Sequence, residues 1–228
     1  RDSMGAAEAG IKWLLDLQNR DGGIPTFCRG WGALPFDRSS PDLTAHTLRA
    51  WEAWKDVIHQ PLAARAEIAT RAALRYLRKQ QGERGEWVPL WFGNQHLKEE
   101  NNRTYGTSQV VQALRDLQQG TGDMLAAGVR WLQSSQNPDG GWGGGESGRS
   151  PSSIEETALA VSALAGLAEA ETAVCEGTRW LIDATSGGQD FKASPIGFYF
   201  AKLWYHERLY PMVWATSAFA KVASTTGR

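Results

Sequence analysis

The chain has 228 residues, with 24 lysines and arginines against 25 aspartates and glutamates, so its formal net charge is −1. Such a balance gives no basic field that would attract nucleic acid, and no stretch of 18 apolar residues could span a membrane as a helix. Cys28 and Cys175 lie far apart in the sequence and form neither a disulfide framework nor a zinc-binding pattern. Tryptophan is unusually abundant, with 11 residues.

Four segments repeat one pattern, in which an aromatic residue inside a helix-forming stretch is followed by glutamine or glycine. The aromatic anchors are Trp13, Tyr76, Trp131 and Trp180. The first three segments continue to Gln18, Gln80 and Gln136, and then to glycines. Glycine suits the C-terminal cap of a helix, where a positive φ is needed. A second helical segment follows each anchor segment, so the repeat unit is predicted to be a helical hairpin.

The second segments are predicted to be helical over residues 42–54, 107–117, 154–167 and 216–222. Residues 157–164 are apolar on nearly all sides, as expected of a helix that is buried on several faces. The anchor segments carry more charge, as in residues 71–79. We therefore predict a buried inner layer and a solvated outer layer. No alternating polar and apolar run indicates a strand, so the predicted fold class is all-α.

Four repeat units account for one domain over residues 1–228, with approximate bounds at residues 1–60, 61–119, 120–170 and 171–228. Units of this kind cannot bury their apolar faces individually, so they are expected to stack or to close into a ring.

The anchor segments resemble the QW motif of triterpene cyclases over residues 10–23, 73–87 and 128–142. The third is a full match, running from Trp131 through Gln136 to Trp142. In this motif a glutamine amide can bond the backbone end of an adjacent helix while an indole stacks on its flat face. We interpret five tryptophans as structural ties between hairpins: Trp13, Trp87, Trp131, Trp142 and Trp180.

Three further stretches resemble squalene–hopene cyclases. Residues 41–46, Pro-Asp-Leu-Thr-Ala-His, are similar to an Asp-Val-Thr-Ala-His segment of that family. Residues 91–93 and 105–107 resemble its Trp-Phe-Gly and Tyr-Gly-Thr stretches, and residues 195–211 resemble its carboxyl-terminal aromatic segment. The order and spacing hold from about residue 4 to residue 222, but they match only the C-terminal part of such a cyclase.

This resemblance implies an α/α toroid, a ring of six helical hairpins of which the chain supplies about four. Family members protonate the terminal alkene of squalene with the middle aspartate of an Asp-x-Asp-Asp motif, which lies upstream of the position matching Arg1. The present sequence contains no such motif. We therefore expect a C-terminal fragment that is inactive alone, from a parent that cyclises a linear, squalene-like polyprene by carbocation chemistry.

The resemblance also implies the site. Carbocations need a dry pocket lined by aromatic faces, which attract positive charge. The expected wall consists of Trp91, Phe92, Phe198, Tyr199 and Tyr205. His46 matches the histidine that bonds the catalytic aspartate, and a charged imidazole there favours the conjugate base. Asp42 lies one turn before His46 and can share its helix face, and Tyr105 matches a tyrosine that helps to position or re-protonate the acid. Taken alone, Asp42 and His46 also fit a capping aspartate and a core histidine.

Two alternative functions remain open. Protein prenyltransferase β-subunits share the ring of hairpins and hold zinc with aspartate, cysteine and histidine. Here neither cysteine lies in an Asp-x-Cys pattern, and the histidines at positions 46, 59, 96 and 206 do not follow ligand spacing. Alternatively, four hairpins could form a non-catalytic scaffold or the partner-binding half of a split cyclase, because an open ring exposes apolar inner helices.

The expected partners are a hydrophobic polyprene and either the remainder of the cyclase chain or a complementary subunit, with no nucleic acid. The family needs no cofactor, and we expect no metal. Residues 1–4 lack the organisation of a signal peptide, so a cytoplasmic location is expected. The resemblance adds peripheral contact with the inner face of the membrane, because these cyclases dip an apolar surface into one leaflet.

Overall fold

The computed structural model describes residues 2–30, 32, 34–117, 122–198 and 202–226. Helices dominate this part of the chain, as predicted. In chain order they are α1 (Asp2–Leu17), α2 (Pro41–Trp54), α3 (Gln60–Gln80), α4 (Arg103–Leu117), α5 (Gly122–Ser134), α6 (Ile154–Leu164), α7 (Glu171–Ala184) and α8 (Leu209–Thr226). A short 3-10 helix, Ala168–Ala170, precedes α7.

The helices form two layers. The inner helices follow one another in space, with α2 against α4, α4 against α6 and α6 against α8. The outer helices α3, α5 and α7 pack on the inner helices α2, α4 and α6 of the preceding hairpins. Every residue of α6 and all of residues 104–114 in α4 are buried. The core therefore lies between the two layers, and the alternation of outer and inner helices agrees with the prediction.

Two small antiparallel sheets were not predicted. Strand β1 (Ile24–Pro25) pairs with β2 (Ser39–Ser40), and β3 (Pro195–Phe198) pairs with β4 (Leu203–His206). Strands of two to four residues are too short to show the alternating pattern that identifies a strand in a sequence. The predicted all-α fold class is confirmed, and these two short sheets are additions to it.

Three helix ends differ from the prediction for local reasons. Helix α4 begins about one turn early, because the Asn102 side chain accepts a hydrogen bond from Tyr105 N at 2.9 Å. Helix α6 ends at Leu164 and does not reach the predicted residue 167, because Gly166 has a φ of 80°, which is incompatible with a right-handed helix. Helix α8 begins at Leu209 and not at the predicted residue 216. Pro211 is compatible with this start, because the N–H that proline lacks has no hydrogen-bond partner in the first turn of a helix.

Three glutamines tie consecutive hairpins together. Their Nε2 atoms donate as follows: Gln18 to Gly22 O and Ala69 O, Gln81 to Gly85 O and Met124 O, and Gln136 to Gly140 O and Ala173 O. In each pair the second acceptor belongs to the next outer helix. The prediction that Gln80 is the motif glutamine of the second segment is wrong, because Gln80 is exposed at the end of α3. Gln81 follows its aromatic anchor, Tyr76, at the same offset as the other two glutamines follow theirs.

Tryptophans add a second set of ties. The Nε1 atoms of Trp87 and Trp142 donate to Leu77 O and Leu132 O at 2.8 and 2.7 Å. Both rings are fully buried, and Trp142 lies so close to the next outer helix that a Cβ on Gly177 would stand 2.5 Å from its Cζ3 atom.

The anchor tryptophans are less uniform. Trp180 Nε1 donates to the Asp139 carboxylate of the preceding hairpin at 3.1 Å, and Trp131 is buried. Trp13 is 56% exposed on α1, so its interpretation as a hairpin tie stays a prediction.

Candidate active site

Asp42 is a buried acid in the first turn of α2. Its carboxylate accepts a hydrogen bond from Ser40 Oγ, which itself accepts one from Leu90 N at 3.0 Å. The carboxylate is therefore tied to the backbone just before Trp91. Burial raises the pKa of Asp42, while the Ser40 hydroxyl and the charge of His46 oppose the shift.

His46 lies one turn further along the same helix, as the spacing predicted. Its side chain reaches solvent, yet the protein around it is dense enough that desolvation lowers the pKa of His46. The negative charge of Asp42 opposes this shift, and the positive charge of Arg49 adds to it. The shifts of Asp42 and His46 thus both favour uncharged side chains.

Tyr105 places a phenol on α4, the inner helix that packs against α2. It is buried in the first turn of α4, and its ring stacks on Phe92 with centroids 4.0 Å apart and planes inclined by 23°. Burial raises the pKa of Tyr105, and the Asp42 carboxyl and neighbouring phenols raise it further. The phenol therefore stays neutral and can donate a hydrogen bond.

A second group of rings surrounds Trp91. The indole makes edge contacts with Phe27 and Phe198, with centroids 6.1 and 5.1 Å apart, and its Nε1 donates to Thr26 Oγ1. Phe198 in turn lies 5.9 Å from Tyr205 on the neighbouring strand. These rings come from two loops and the β3–β4 hairpin.

Helix α8 contributes two further aromatic rings. The rings of Tyr210 and Trp214 stack at 4.6 Å, Tyr210 lies 6.3 Å from Phe92, and Trp214 lies 6.1 Å from Tyr105. Phe92 and Phe198 also form a backbone bridge, which joins the two groups of rings. We call the whole set the aromatic cluster: Phe27, Trp91, Phe92, Tyr105, Phe198, Tyr205, Tyr210 and Trp214.

Of the predicted site residues that the structure describes, the aromatic ones all belong to this cluster, whereas Asp42 and His46 lie on α2 outside it. Trp91, Phe92, Phe198, Tyr205 and Tyr105 all belong to it, and Tyr199 lies outside the described residues. Sequence reasoning missed Phe27, Tyr210 and Trp214. The four-residue spacing of Tyr210 and Trp214 on one helix was a usable signal, whereas nothing in the sequence around Phe27 indicated its contact with Trp91.

The cluster combines features needed at a site for apolar molecules. Trp91, Phe92, Phe198 and Tyr205 are only partly buried, so their rings can contact a ligand. Aromatic faces attract positive charge without reacting with it. The same region places one buried acid, one imidazole and one neutral phenol on the adjacent helices α2 and α4.

The described part of the chain contains neither a candidate metal site nor a candidate membrane span. Within residues 2–30, 32, 34–117, 122–198 and 202–226, no three His, Cys, Asp or Glu side chains are grouped so that they could hold a metal ion. Across the same ranges, no helix is both long and apolar enough to cross a membrane. Both cysteines are exposed and free.

Known proteins resemble this chain over most of its length. It is 27% identical over 223 residues to enfumafungin synthase efuA of Hormonema carpetanum, covering 86% of this chain and 16% of that protein. It is 30% identical over 254 residues to a probable squalene–hopene cyclase of Sinorhizobium fredii, covering 96% of this chain and 36% of the relative. The chain thus spans less than two-fifths of either protein.

Solved structures share the fold. An ent-copalyl diphosphate synthase from Streptomyces platensis superposes with a TM-score of 0.67 at 19% identity, covering 94% of this chain and 37% of the other. The type II terpene cyclase MstE from Scytonema gives a TM-score of 0.52 at 14% identity, covering 98% and 83%. These neighbours support the predicted α/α toroid. Residues 1–224 match the family described as the squalene-hopene cyclase C-terminal domain, and the chain belongs to that family.

Proposed function

We propose that this chain forms the carboxyl-terminal part of the catalytic barrel of a terpene cyclase, which converts a linear polyprene into a polycyclic product. The observation that carries the proposal is the convergence of eight aromatic rings from separate parts of the chain. The buried acid Asp42 is tied through Ser40 to Leu90, the residue before Trp91 of this cluster. A cation formed in a folded hydrocarbon needs such a surface, because aromatic faces stabilise it by about 0.5–2 kcal/mol per contact.

The proton donor is assigned to a segment outside these 228 residues, since the sequence contains no Asp-x-Asp-Asp motif. In the proposed reaction the donor's O–H bond breaks and the proton adds to the terminal alkene, whose π electrons form the new C–H bond. Each following alkene closes a ring by attacking the cation, and the last cation loses a proton. His46 supports the donor by hydrogen bonding, Asp42 lies one turn before His46 on the same helix, and the neutral phenol of Tyr105 helps to position the donor.

Squalene is the first substrate to test, because the bacterial relatives are named squalene–hopene cyclases. We expect no cyclic product, by gas chromatography and mass spectrometry, when the present chain is incubated alone with squalene. The longest natural chain that contains this sequence and an Asp-x-Asp-Asp segment is expected to form one.

Within that longer protein, His46→Ala is expected to reduce kcat by about 100-fold, the lower end of the range for groups that assist proton transfer. His59→Ala is the matched control, since His59 pairs with Glu8 on the surface. Cyclic product from the present chain alone, or full activity of the His46 variant, would refute the assigned roles.

Peripheral membrane contact is part of the same proposal. Phe27, Leu203 and Leu209 are 69%, 55% and 60% exposed. Phe27 belongs to the aromatic cluster, Leu203 pairs with Phe198 between β3 and β4, and Leu209 precedes Tyr210. Groups of exposed apolar side chains favour contact with lipid or with another protein. Sedimentation with phosphatidylglycerol vesicles tests it: binding by the chain and its loss in a Phe27→Ser, Leu209→Ser variant are expected.

A further inference from the structure

Two consecutive glutamates, Glu155 and Glu156, are buried in the first turn of α6, with 1% and 2% of their surfaces exposed. Carboxylates near a helix N-terminus are favourable on a protein surface, so the helix dipole alone does not require their burial. Burying a carboxylate costs free energy unless it gains hydrogen bonds. The bonds that these side chains make therefore indicate their role.

Glu156 occupies the last position of a Ser-x-x-Glu pattern, and Ser153 Oγ accepts a hydrogen bond from Glu156 N at 3.1 Å. In a capping box the glutamate side chain would bind the Ser153 N–H in return. That N–H instead donates to Trp142 O at 3.0 Å. The Glu156 carboxylate is thus free for partners outside its own helix.

Those partners are two asparagines of the connection between Phe92 and α4. Glu156 Oε1 accepts from Nδ2 of Asn94 at 3.1 Å and from Nδ2 of Asn102 at 2.9 Å. Asn102 N also donates to Phe92 O at 3.2 Å, and Asn102 Oδ1 accepts from Tyr105 N at 2.9 Å. One carboxylate thereby holds both ends of the connection between two stacked rings.

Glu155 binds the other aromatic segment. Its Oε1 accepts from Ser194 N at 2.8 Å, immediately before strand β3 and Phe198. The two segments also contact each other, since Gly93 N donates to Gly197 O at 2.8 Å. The first turn of α6 is therefore the common attachment point of the segments that carry Phe92 and Phe198.

We propose that Glu155 and Glu156 are positioning residues of the aromatic cluster, with Glu156 fixing residues 92–105 and Glu155 fixing β3. Their catalytic relevance rests on the function proposed above for that cluster, whereas their effect on its geometry does not.

The electrostatics agree with a role in positioning. Burial, with a further contribution from the charge of Glu155, raises the pKa of Glu156 to about 7. The Oε2 atoms of both glutamates are buried and make no hydrogen bond within the part of the chain that the structure describes. A pair chosen for stability alone would not carry two unpaired oxygens, because each costs free energy.

Hydrogen exchange followed by mass spectrometry tests the proposal on the present chain without substrate. Glu156→Ala is expected to speed exchange about tenfold in peptides covering residues 92–105, which corresponds to loss of one or two hydrogen bonds. Glu155→Ala is expected to act in the same way on residues 194–198. Each variant is the matched control of the other, and α3 should be unchanged in both.

Glu156→Gln provides the rescue, because its amide oxygen still accepts from both asparagines. We expect exchange within about twofold of the parent chain. A spectroscopic readout accompanies it: with 5-fluorotryptophan, the ¹⁹F resonance of Trp91, assigned by Trp91→Phe, should shift in Glu156→Ala and stay in place in Glu156→Gln.

Unchanged exchange in Glu156→Ala, or faster exchange spread evenly over all helices, would overturn the proposal. If the alanine variants do not fold, Asn102→Ala replaces them, since it removes the same bond from the other partner and should loosen the same peptides. Because no readout uses substrate, an absent cyclase activity would leave these outcomes unaffected.

Discussion

The ring of Phe92 stacks on the ring of Tyr105 with centroids 4.0 Å apart, which joins a loop to the first turn of an inner helix. Tyr105 is almost fully buried and also contacts Trp214 of α8. This pair thus links the loop, α4 and α8 at the center of the aromatic cluster, so changes at Tyr105 should affect stability as well as the site.

Removing the Tyr105 ring is expected to be costly. Tyr105→Ala should lower the free energy of unfolding by about 3–5 kcal/mol, the range for deleting a buried aromatic ring. Tyr105→Phe keeps the stack and should lower it by less than about 1 kcal/mol. Urea denaturation followed by circular dichroism measures both, and equal losses in the two variants would contradict a role of the ring itself.

The charges around His46 should set its titration. Desolvation places its pKa below the ordinary 6.5, and Asp42 and Arg49 act in opposite directions. Asp42→Asn removes the charge that raises the pKa, so the midpoint should fall further, while Arg49→Gln should raise it. NMR titration of the imidazole, assigned with His46→Gln, measures these midpoints. A rise in Asp42→Asn would show that the pair is not coupled as described.

Glu156 should make stability fall as pH rises. Its pKa is raised from 4.5 to about 7, so the folded chain keeps a proton that the unfolded chain releases between these values. The loss amounts to about 3 kcal/mol across this interval. Asp42 and Glu155 shift in the same direction, so Glu156→Gln isolates the contribution. Urea midpoints at about pH 5 and about pH 8 should differ less in that variant; an equal difference would contradict the assignment.

The glutamine ties allow a comparison of adjacent residues. Gln81→Ala removes the donor to Gly85 O and Met124 O, so it should lower the free energy of unfolding by about 1–3 kcal/mol. Gln80→Ala changes an exposed side chain and should stay within about 0.5 kcal/mol. Thermal and urea unfolding distinguish the two, and a larger effect at Gln80 would contradict the assignment of Gln81 as the tie.

Alanine substitution at two helical glycines should change the free energy of unfolding in opposite directions. A Cβ at Gly177 would meet Trp142 Cζ3 at 2.5 Å and Val161 Cγ2 at 2.7 Å, so Gly177→Ala should destabilise by about 1–3 kcal/mol. A Cβ at Gly10 meets nothing within 4 Å, and Gly10→Ala should stabilise α1 by about 0.5–1 kcal/mol. Urea unfolding gives both values, and equal effects would argue against close packing of Trp142 on α7.

The sequence by itself determined the helical hairpins, their two layers and the family. Helical periodicity, helix caps and the spacing from Trp131 through Gln136 to Trp142 are patterns of residues that are close in sequence. The sequence therefore shows them without knowledge of how separate segments pack. The same reasoning placed Asp42 and His46 on one helix face, since a separation of four residues is fixed by the helix itself.

Only the tertiary structure decided which rings meet and what holds them. Phe27 contacts Trp91, and Trp214 contacts Tyr105, across large separations in sequence that no periodic pattern encodes. Glu156 fitted a helix cap in the sequence, yet its carboxylate binds Asn94 and Asn102. Such contacts depend on how separate segments pack, so they are specified by the whole fold rather than by any one stretch of residues.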